Sequence, residues 1–176
     1  MKDRKNELLK ELEAGLKEDS GIGEISMFTA EELETPMGIL RSEITGFGPG
    51  LISVLGEFFF LPIEDDDHFF FSTVITLSGT VPPEAAPDVA SAVARLNYYV
   101  PVGCYALGDD DKNLIFRLTA LINISDDIKK QSGEIRKAVN IALGAGEKYF
   151  GYLLMVIKNE ISVDDMMKML GGGTLP

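Results

Sequence analysis

Two neighbouring segments, residues 50–61 and 68–78, carry aromatic or β-branched side chains at alternate positions. Side chains two residues apart lie on the same face of a strand, so this alternation predicts two strands. Pro62 and a run of acidic residues lie between them, where the connection of an antiparallel hairpin belongs. Both strands also carry apolar residues on their second face, including Phe59 and Phe70, and we expect that face to require cover.

A second hairpin is predicted later in the chain. Residues 102–108 form a short apolar strand, and residues 114–124 are apolar at every second position, with polar side chains such as Arg117 between them. The segment Gly108–Asn113 is rich in aspartate and favours a turn. We therefore expect a half-buried antiparallel pair.

Apolar spacings of three and four residues predict the helices. The pattern indicates helices over residues 3–18, 84–97 and 132–157, and a short last helix that begins after Ser162. Most side chains at 142–146 are small, in the middle of the longest helix, so close packing or a kink is expected there. A deep pocket beneath that helix is the alternative.

The order of these elements predicts the fold class. Runs of antiparallel strands followed by helices favour an α+β, two-layer sandwich, with the helices packed on one face of the sheet. Residues 22–45 contain two strand-like segments around Pro36 but give no clear assignment. We expect one domain over residues 1–170 and a flexible tail at 171–176.

Length and charge narrow the classes of function. The chain has 176 residues, a length that suits one domain, and a net charge of −12, which argues against nucleic acid and against anionic membranes. Its one cysteine, Cys104, allows no internal disulfide. The charged N-terminus lacks the apolar core of a secretory signal, and no apolar run is long enough for a membrane span. A cytoplasmic location and no membrane partner are expected.

The acidic run Glu64–His68 is the most suggestive chemical feature. Consecutive acids beside the only histidine could hold a cation, and a small metal-dependent enzyme is one alternative. However, catalytic zinc usually has three protein ligands, and the spacing is not that of a calcium loop. The same objection applies to Gly108–Asn113. A solvated turn that keeps apolar strands away from other chains is the favoured interpretation.

Other catalytic motifs are missing from the sequence. There is no G-x-S-x-G elbow, no P-loop and no dinucleotide-binding glycine motif. Cys104 lies in an apolar strand, where a lone cysteine usually belongs to the core. We therefore expect no enzyme, no catalytic residue, no cofactor and no bound metal.

Methionines near the C-terminus offer a different kind of site. Flexible methionine-rich surfaces suit adaptable protein binding, although methionines more often fill gaps in a core. The candidate partner-binding or dimer surface consists of Phe59, Phe70, Met166, Met167 and Met169.

The second half of the chain resembles a known family. The segment ASAVARLNYYVPVGCYALGDDDKNLIFRLTALI, followed by a helix with GEKYFGYLLMVI, is similar to the YbjN-type bacterial family, described as sensory-transduction regulators. The resemblance covers about residues 50–160. It implies a fold like that of type III secretion chaperones and a non-enzymatic, frequently dimeric protein that acts through protein contacts. The matching features are the helix end at Asn97, Gly103, the turn Asp109–Asn113, Phe116, Arg117, Tyr149 and Phe150.

These observations lead to three functional hypotheses. The first is a cytoplasmic interaction protein, chaperone-like or regulatory, that binds a protein partner through an apolar sheet or helix surface and forms a homodimer. The second is the metal-dependent enzyme at the acidic loop 64–68. The third is a ligand-binding sensor domain that uses the same loop or a pocket beneath residues 132–157.

Overall fold

A computed structural model describes residues 2–108 and 113–171, with the side chain of Lys2 excepted. Within those ranges the chain forms a six-stranded sheet and five helices. None of the described helices is long and apolar enough to cross a membrane. The elements are α1 (Lys2–Leu16), β1 (Ile22–Phe28), β2 (Ile39–Phe47), β3 (Ile52–Phe60), β4 (His68–Ser78), α2 (Ala86–Leu96), β5 (Cys104–Leu107), β6 (Leu114–Asn123), α3 (Ile128–Lys148), α4 (Phe150–Ile157) and α5 (Val163–Gly171).

All neighbouring strands are antiparallel, and their order is β1-β2-β3-β4-β6-β5. Both predicted hairpins are confirmed, because β3 pairs with β4 and β5 pairs with β6. The second hairpin joins the first in one sheet, because β6 also pairs with β4 along its whole length. The α+β class is therefore confirmed.

One face of the sheet is covered by helices. Alternate residues of β4, such as Phe71 and Ile75, point into this layer and are fully buried. They meet the apolar stripes of the helices, and α3 packs mainly on β6 and β4. The largest fully buried side chains are Tyr105, Phe58, Phe71, Phe116, Phe150, Leu8, Leu12, Leu40, Ile75, Leu96, Leu114 and Ile122.

The prediction of one helix over residues 132–157 is wrong. Helix α3 begins earlier, because the side chain of Asp127 accepts a hydrogen bond from the N–H of Lys130 and caps it. It ends before Tyr149, which leaves the helical region at φ −115° and ψ 1° and separates α3 from α4. The buried hydroxyl of Tyr105 donates to the carbonyl of Gly146 at 2.8 Å and accepts from the N–H of Tyr149 at 3.3 Å.

The region beneath α3 is packed rather than hollow. Ala142 is fully buried, and a Cβ added to Gly146 would lie 3.1 Å from the ring of Phe116. The small residues of α3 therefore allow the helix to approach an aromatic side chain of β6. The Phe116 ring occupies the space beneath Gly146, where a deep pocket was the alternative.

The unassigned segment 22–45 consists of β1 and β2, joined by a connection that contains Pro36. The last helix begins after Ser162, as predicted, and the Ser162 hydroxyl accepts a hydrogen bond from the N–H of Asp165. The predicted turn at residues 109–112 and most of the predicted tail, residues 172–176, lie outside the described residues.

A buried glutamine ties three elements together. Gln131 of α3 donates from Nε2 to the carbonyl of Asn123 at 2.7 Å, and its Oε1 accepts from Arg4 of α1 at 2.9 Å. Its side chain is fully buried, so these partners offset the cost of removing a polar group from water. The network positions α1 and α3 relative to the end of β6.

A second buried polar group lacks such partners. Thr73 lies fully buried at the centre of β4, and its Oγ1 has no hydrogen-bond partner among the described residues. We expect Thr73→Val to raise the free energy of unfolding by about 1 kcal/mol, because a methyl group replaces an unpaired hydroxyl of similar shape. Urea unfolding measures this change.

Thr76→Val is the matched control, because Thr76 lies on the same strand with its side chain half-exposed on the opposite face. Its effect should stay within about 0.5 kcal/mol. A loss of stability in Thr73→Val would contradict the unpaired state of the hydroxyl.

Candidate interaction surface

None of the described helices lies over the second face of the sheet. We call the apolar side chains that point to this side the open face. The strand register places Phe59 opposite Ser72, and Phe70 opposite Leu121. The open face consists of Phe28, Ile39, Leu55, Phe59, Phe70, Val74, Ile115 and Leu121, all half-buried or exposed.

Charged residues interrupt and border the open face. Arg41 of β2 lies opposite Glu57 of β3, and their side chains form an ion pair at 2.7 Å. The guanidinium of Arg41 also lies 5.1 Å from the centre of the Phe28 ring. Arg117 of β6 is exposed on the same face. Apolar contacts with flanking arginines are typical of protein–protein interfaces.

The structure divides the five residues of the predicted surface between two sides of the molecule. Phe59 and Phe70 lie on the open face, as expected from the strand alternation. Met166 is fully buried in the core, so it cannot contact a partner. Met167 is half-buried against the core, and Met169 is 51% exposed on α5. Helix α5 packs on α2 and α4, in the layer on the other side of the sheet.

Sequence reasoning missed several residues of the open face. Phe28 and Ile39 were hidden because the strands of segment 22–45 could not be assigned. Leu121 was assigned to neither face of the second hairpin, although it is 57% exposed. The signal for all three is the strand register, which the sequence alone does not supply.

The acidic run Glu64–His68 forms the predicted connection between β3 and β4. The carboxylate of Asp65 accepts hydrogen bonds from the N–H groups of Asp67 at 3.0 Å and His68 at 2.7 Å. Its Oδ1 also lies 3.4 Å from Nδ1 of His68. These hydrogen bonds, led by that from Asp67, hold the pKa of Asp65 below its usual value.

The described residues contain no group of three or more histidine, cysteine, aspartate or glutamate side chains arranged to hold a metal ion. Cys104 is half-buried and lies opposite Arg117 on β6, whereas His68 lies opposite Asn123. Six residues of strand separate these positions, which corresponds to roughly 20 Å at about 3.3 Å per residue. A Cys–His catalytic pair is therefore not formed.

A cavity of about 650 Å³ lies beside the acidic loop, between α1 and the two connections β1–β2 and β3–β4. Met27, Phe60 and Phe69 supply apolar walls, and Lys5 brings a charge. The Lys5 ammonium lies 5.2 Å from the ring centre of Phe69 and donates to the carbonyl of Leu61 at 3.4 Å. No described carboxylate lies within ion-pair distance of it.

Comparison with known proteins adds no relative: no family model, no curated protein and no solved structure matches the chain.

The hydrogen bonds to Asp65 predict a pH dependence of stability. A folded-state pKa below the ordinary value of 3.8 means that the carboxylate stabilises the fold fully above that value. The contribution is lost as the pH falls through the lowered pKa. We expect the stability difference between the wild type and Asp65→Asn to shrink over that range, as measured by urea unfolding at several pH values.

Asp66→Asn is the matched control, because it removes one charge from the same loop and leaves both hydrogen bonds to Asp65 in place. A difference between wild type and Asp65→Asn that does not change with pH would show that the turn does not depend on the charge.

Proposed function

We propose that this protein is a non-enzymatic interaction module that binds a protein partner through the open face. The observation that carries the proposal is a sheet with helices on one side and, on the other, partly exposed large apolar side chains that none of the described helices covers. Antiparallel sheets tolerate water on one face when that face is polar. Here Phe59, Phe70 and Leu121 add large apolar side chains between polar ones such as Arg41 and Arg117.

The composition of the open face indicates the chemistry of the partner. An apolar strip flanked by Arg41, Glu57 and Arg117 matches a protein surface with its own apolar strip and a polar border. The chain's net charge of −12 favours a partner that is basic outside the contact. Nucleic acid is the less suitable partner, because the exposed charge is predominantly negative.

The resemblance to the YbjN-type family supports the same proposal. That family implies a chaperone-like or regulatory protein without a catalytic site, in the cytoplasm and frequently as a homodimer. The packing of α3 and α4 behind β6 is compatible with this resemblance, which covers about residues 50–160. We carry over the homodimer, the cytoplasmic location and the absence of catalysis as parts of the proposal.

Charged substitutions on the open face test this proposal. We expect the double variant Phe59→Glu/Phe70→Glu to lose partner proteins that the wild type captures from the native cell, because buried carboxylates without partners weaken an interface strongly. The loss should be at least tenfold, measured by quantitative mass spectrometry of the captured proteins. Unchanged helix content by circular dichroism confirms that the variant is folded.

Ser53→Glu is the matched control, because Ser53 lies exposed on the same side of β3 but is not apolar. It adds one carboxylate to the same face, against two in the double variant, and should leave capture unchanged. Equal capture by the double variant and the wild type would contradict a role for the open face.

The cavity beside the acidic loop supports a second candidate function, the binding of a small molecule. Its volume of about 650 Å³ falls within the roughly 300–1,000 Å³ of typical ligand sites. The Lys5 ammonium next to aromatic walls would suit the carboxylate of an amphipathic ligand, which supplies the missing counter-charge. Glu31, Glu64 and Asp65 also line the cavity and narrow the choice to a ligand with a single compact anionic group, because they repel further negative charge.

Decanoate, an apolar chain with one carboxylate, is a direct probe of this site. We expect it to shift the methyl resonances of Met27 and Met37, which line the cavity, in an NMR titration. Lys5→Met should weaken the binding at least about tenfold by removing the counter-charge. Lys17→Met, at the far end of the same helical region, should not. Shifts that persist in Lys5→Met would contradict the assigned role of Lys5.

A further inference from the structure

The second half of β6 is an unpaired strand edge. Strand β5 pairs only with residues 114–117, so residues 118–123 have β4 on one side and none of the described strands on the other. The N–H of Gly108 donates to the carbonyl of Asn113 on the β5 side of β6, and the N–H of Ile124 donates to the carbonyl of Asp67 on the β4 side. The backbone groups of successive strand residues point to opposite sides. The backbone groups of Thr119 and Leu121 therefore point away from β4, where no described residue bonds them.

The ends of this edge are closed by specific side chains. At one end, Nε2 of Gln131 donates to the outward carbonyl of Asn123. At the other, the side-chain amide of Asn97 bonds both the N–H and the carbonyl of Tyr105 on the outer side of β5. Gly103, at φ +75°, turns the chain away from β6, and an added Cβ there would lie 2.8 Å from the carbonyl of Arg117. The middle of the edge alone stays available.

An apolar groove of about 280 Å³ runs beside the unpaired edge. Val102, Leu121 and Ile141 border or adjoin it and are 41%, 57% and 39% exposed, which is unusual for large apolar side chains of this protein. The strand segment LTALI at 118–122 contains no charge and no proline, the two devices that commonly protect an edge from pairing. An edge of this kind is expected to be covered.

We propose that a second copy of this chain covers the edge, through antiparallel pairing of β6 with β6 about a two-fold axis at Ala120. This inference rests on the homodimer of the proposed function and specifies its contact. Thr119 of each copy pairs with Leu121 of the other, so the outward backbone groups form four hydrogen bonds. Ala120 meets Ala120 of the second copy on the helix side, where the small side chain permits close approach.

Charge favours a second copy at this place over the rest of the surface. The net charge of −12 makes most contacts between copies repulsive, but residues 118–122 are uncharged. The border of the groove carries one acid and one base, Glu134 and Lys137, on successive turns of α3. In an antiparallel pair of α3 helices these residues present opposite charges to each other rather than like charges.

An engineered disulfide tests the register. In the background Cys104→Ser, we expect Ala120→Cys to form a disulfide-linked dimer under mild oxidation, because directly opposed residues have Cα atoms about 4.5–5.5 Å apart. The product should have twice the mass of the 19.2 kDa chain. Asn123→Cys in the same background is the matched control, because it is exposed on β6 but lies far from its own copy in this register. Equal cross-linking of both variants would overturn the register.

Light scattering of the untagged chain provides the second measurement. Thr119→Pro removes one outward N–H from each copy at an edge position where proline is tolerated, and should weaken dimerisation at least about tenfold. Thr119→Val keeps the N–H and should not. If Thr119→Pro fails to fold, Ile141→Glu replaces it as the test. Ile141 lies on α3, outside the sheet, and its substitution should weaken dimerisation to the same extent. A monomeric wild type, or dimers unaffected by Thr119→Pro and Ile141→Glu, would overturn the proposal.

Different experimental outcomes would contradict partner binding through the open face and dimerisation through the edge of β6. A loss of the edge dimer in Thr119→Pro with retained partner capture leaves the open face as the functional surface and confirms that the edge serves self-association only. Capture lost in Phe59→Glu/Phe70→Glu with an intact dimer supports both. A dimer abolished by Phe59→Glu/Phe70→Glu but not by Ile141→Glu would place self-association on the open face and overturn the edge contact.

Discussion

The register of β4 between β3 and β6 is the constraint on which the rest of the structure depends. Phe71 lies opposite Phe60 on one side and Ala120 on the other, and this row enters the helix layer. Because side chains alternate strictly along a strand, a shift of one residue would place Phe70 and Val74 against the helices and expel Phe71 into water. The same register that builds the core therefore also creates the open face.

Polar side chains complete the sheet where strands end. Gln131 bonds the last carbonyl of β6, Asn97 bonds both outer groups of Tyr105 in β5, and the Tyr105 hydroxyl bonds the end of α3. Burial raises the pKa of that hydroxyl well above its ordinary value, so it stays protonated and remains a donor. Buried backbone groups require hydrogen-bond partners. The positions of these polar side chains therefore show where the backbone of the sheet is fully hydrogen-bonded within one chain.

The two hairpins could be predicted because their alternation is local and strong, whereas the remaining elements depend on contacts that are distant in sequence. The spacing of Leu153 and Val156 continues the apolar stripe of α3, so nothing local reveals that the Tyr105 hydroxyl meets the chain at the break before α4. Met166 resembled a surface methionine because its burial depends on where α5 packs. The residues of the open face come from five strands, and locating them requires the register of β1 and β2, for which the sequence showed no clear alternation.

The open face and the unpaired edge of β6 meet at Leu121, and there is a physical reason to assign different partners to these two surfaces. A dimer formed face to face would bury Phe59 and Phe70 and leave the uncharged edge 118–122 in water. A dimer formed edge to edge satisfies the outward backbone groups of Thr119 and Leu121 and joins two open faces into one continuous surface. The edge then contributes directional hydrogen bonds that only a strand can supply. The enlarged face contributes apolar area, which is less selective for shape and better suited to a different protein.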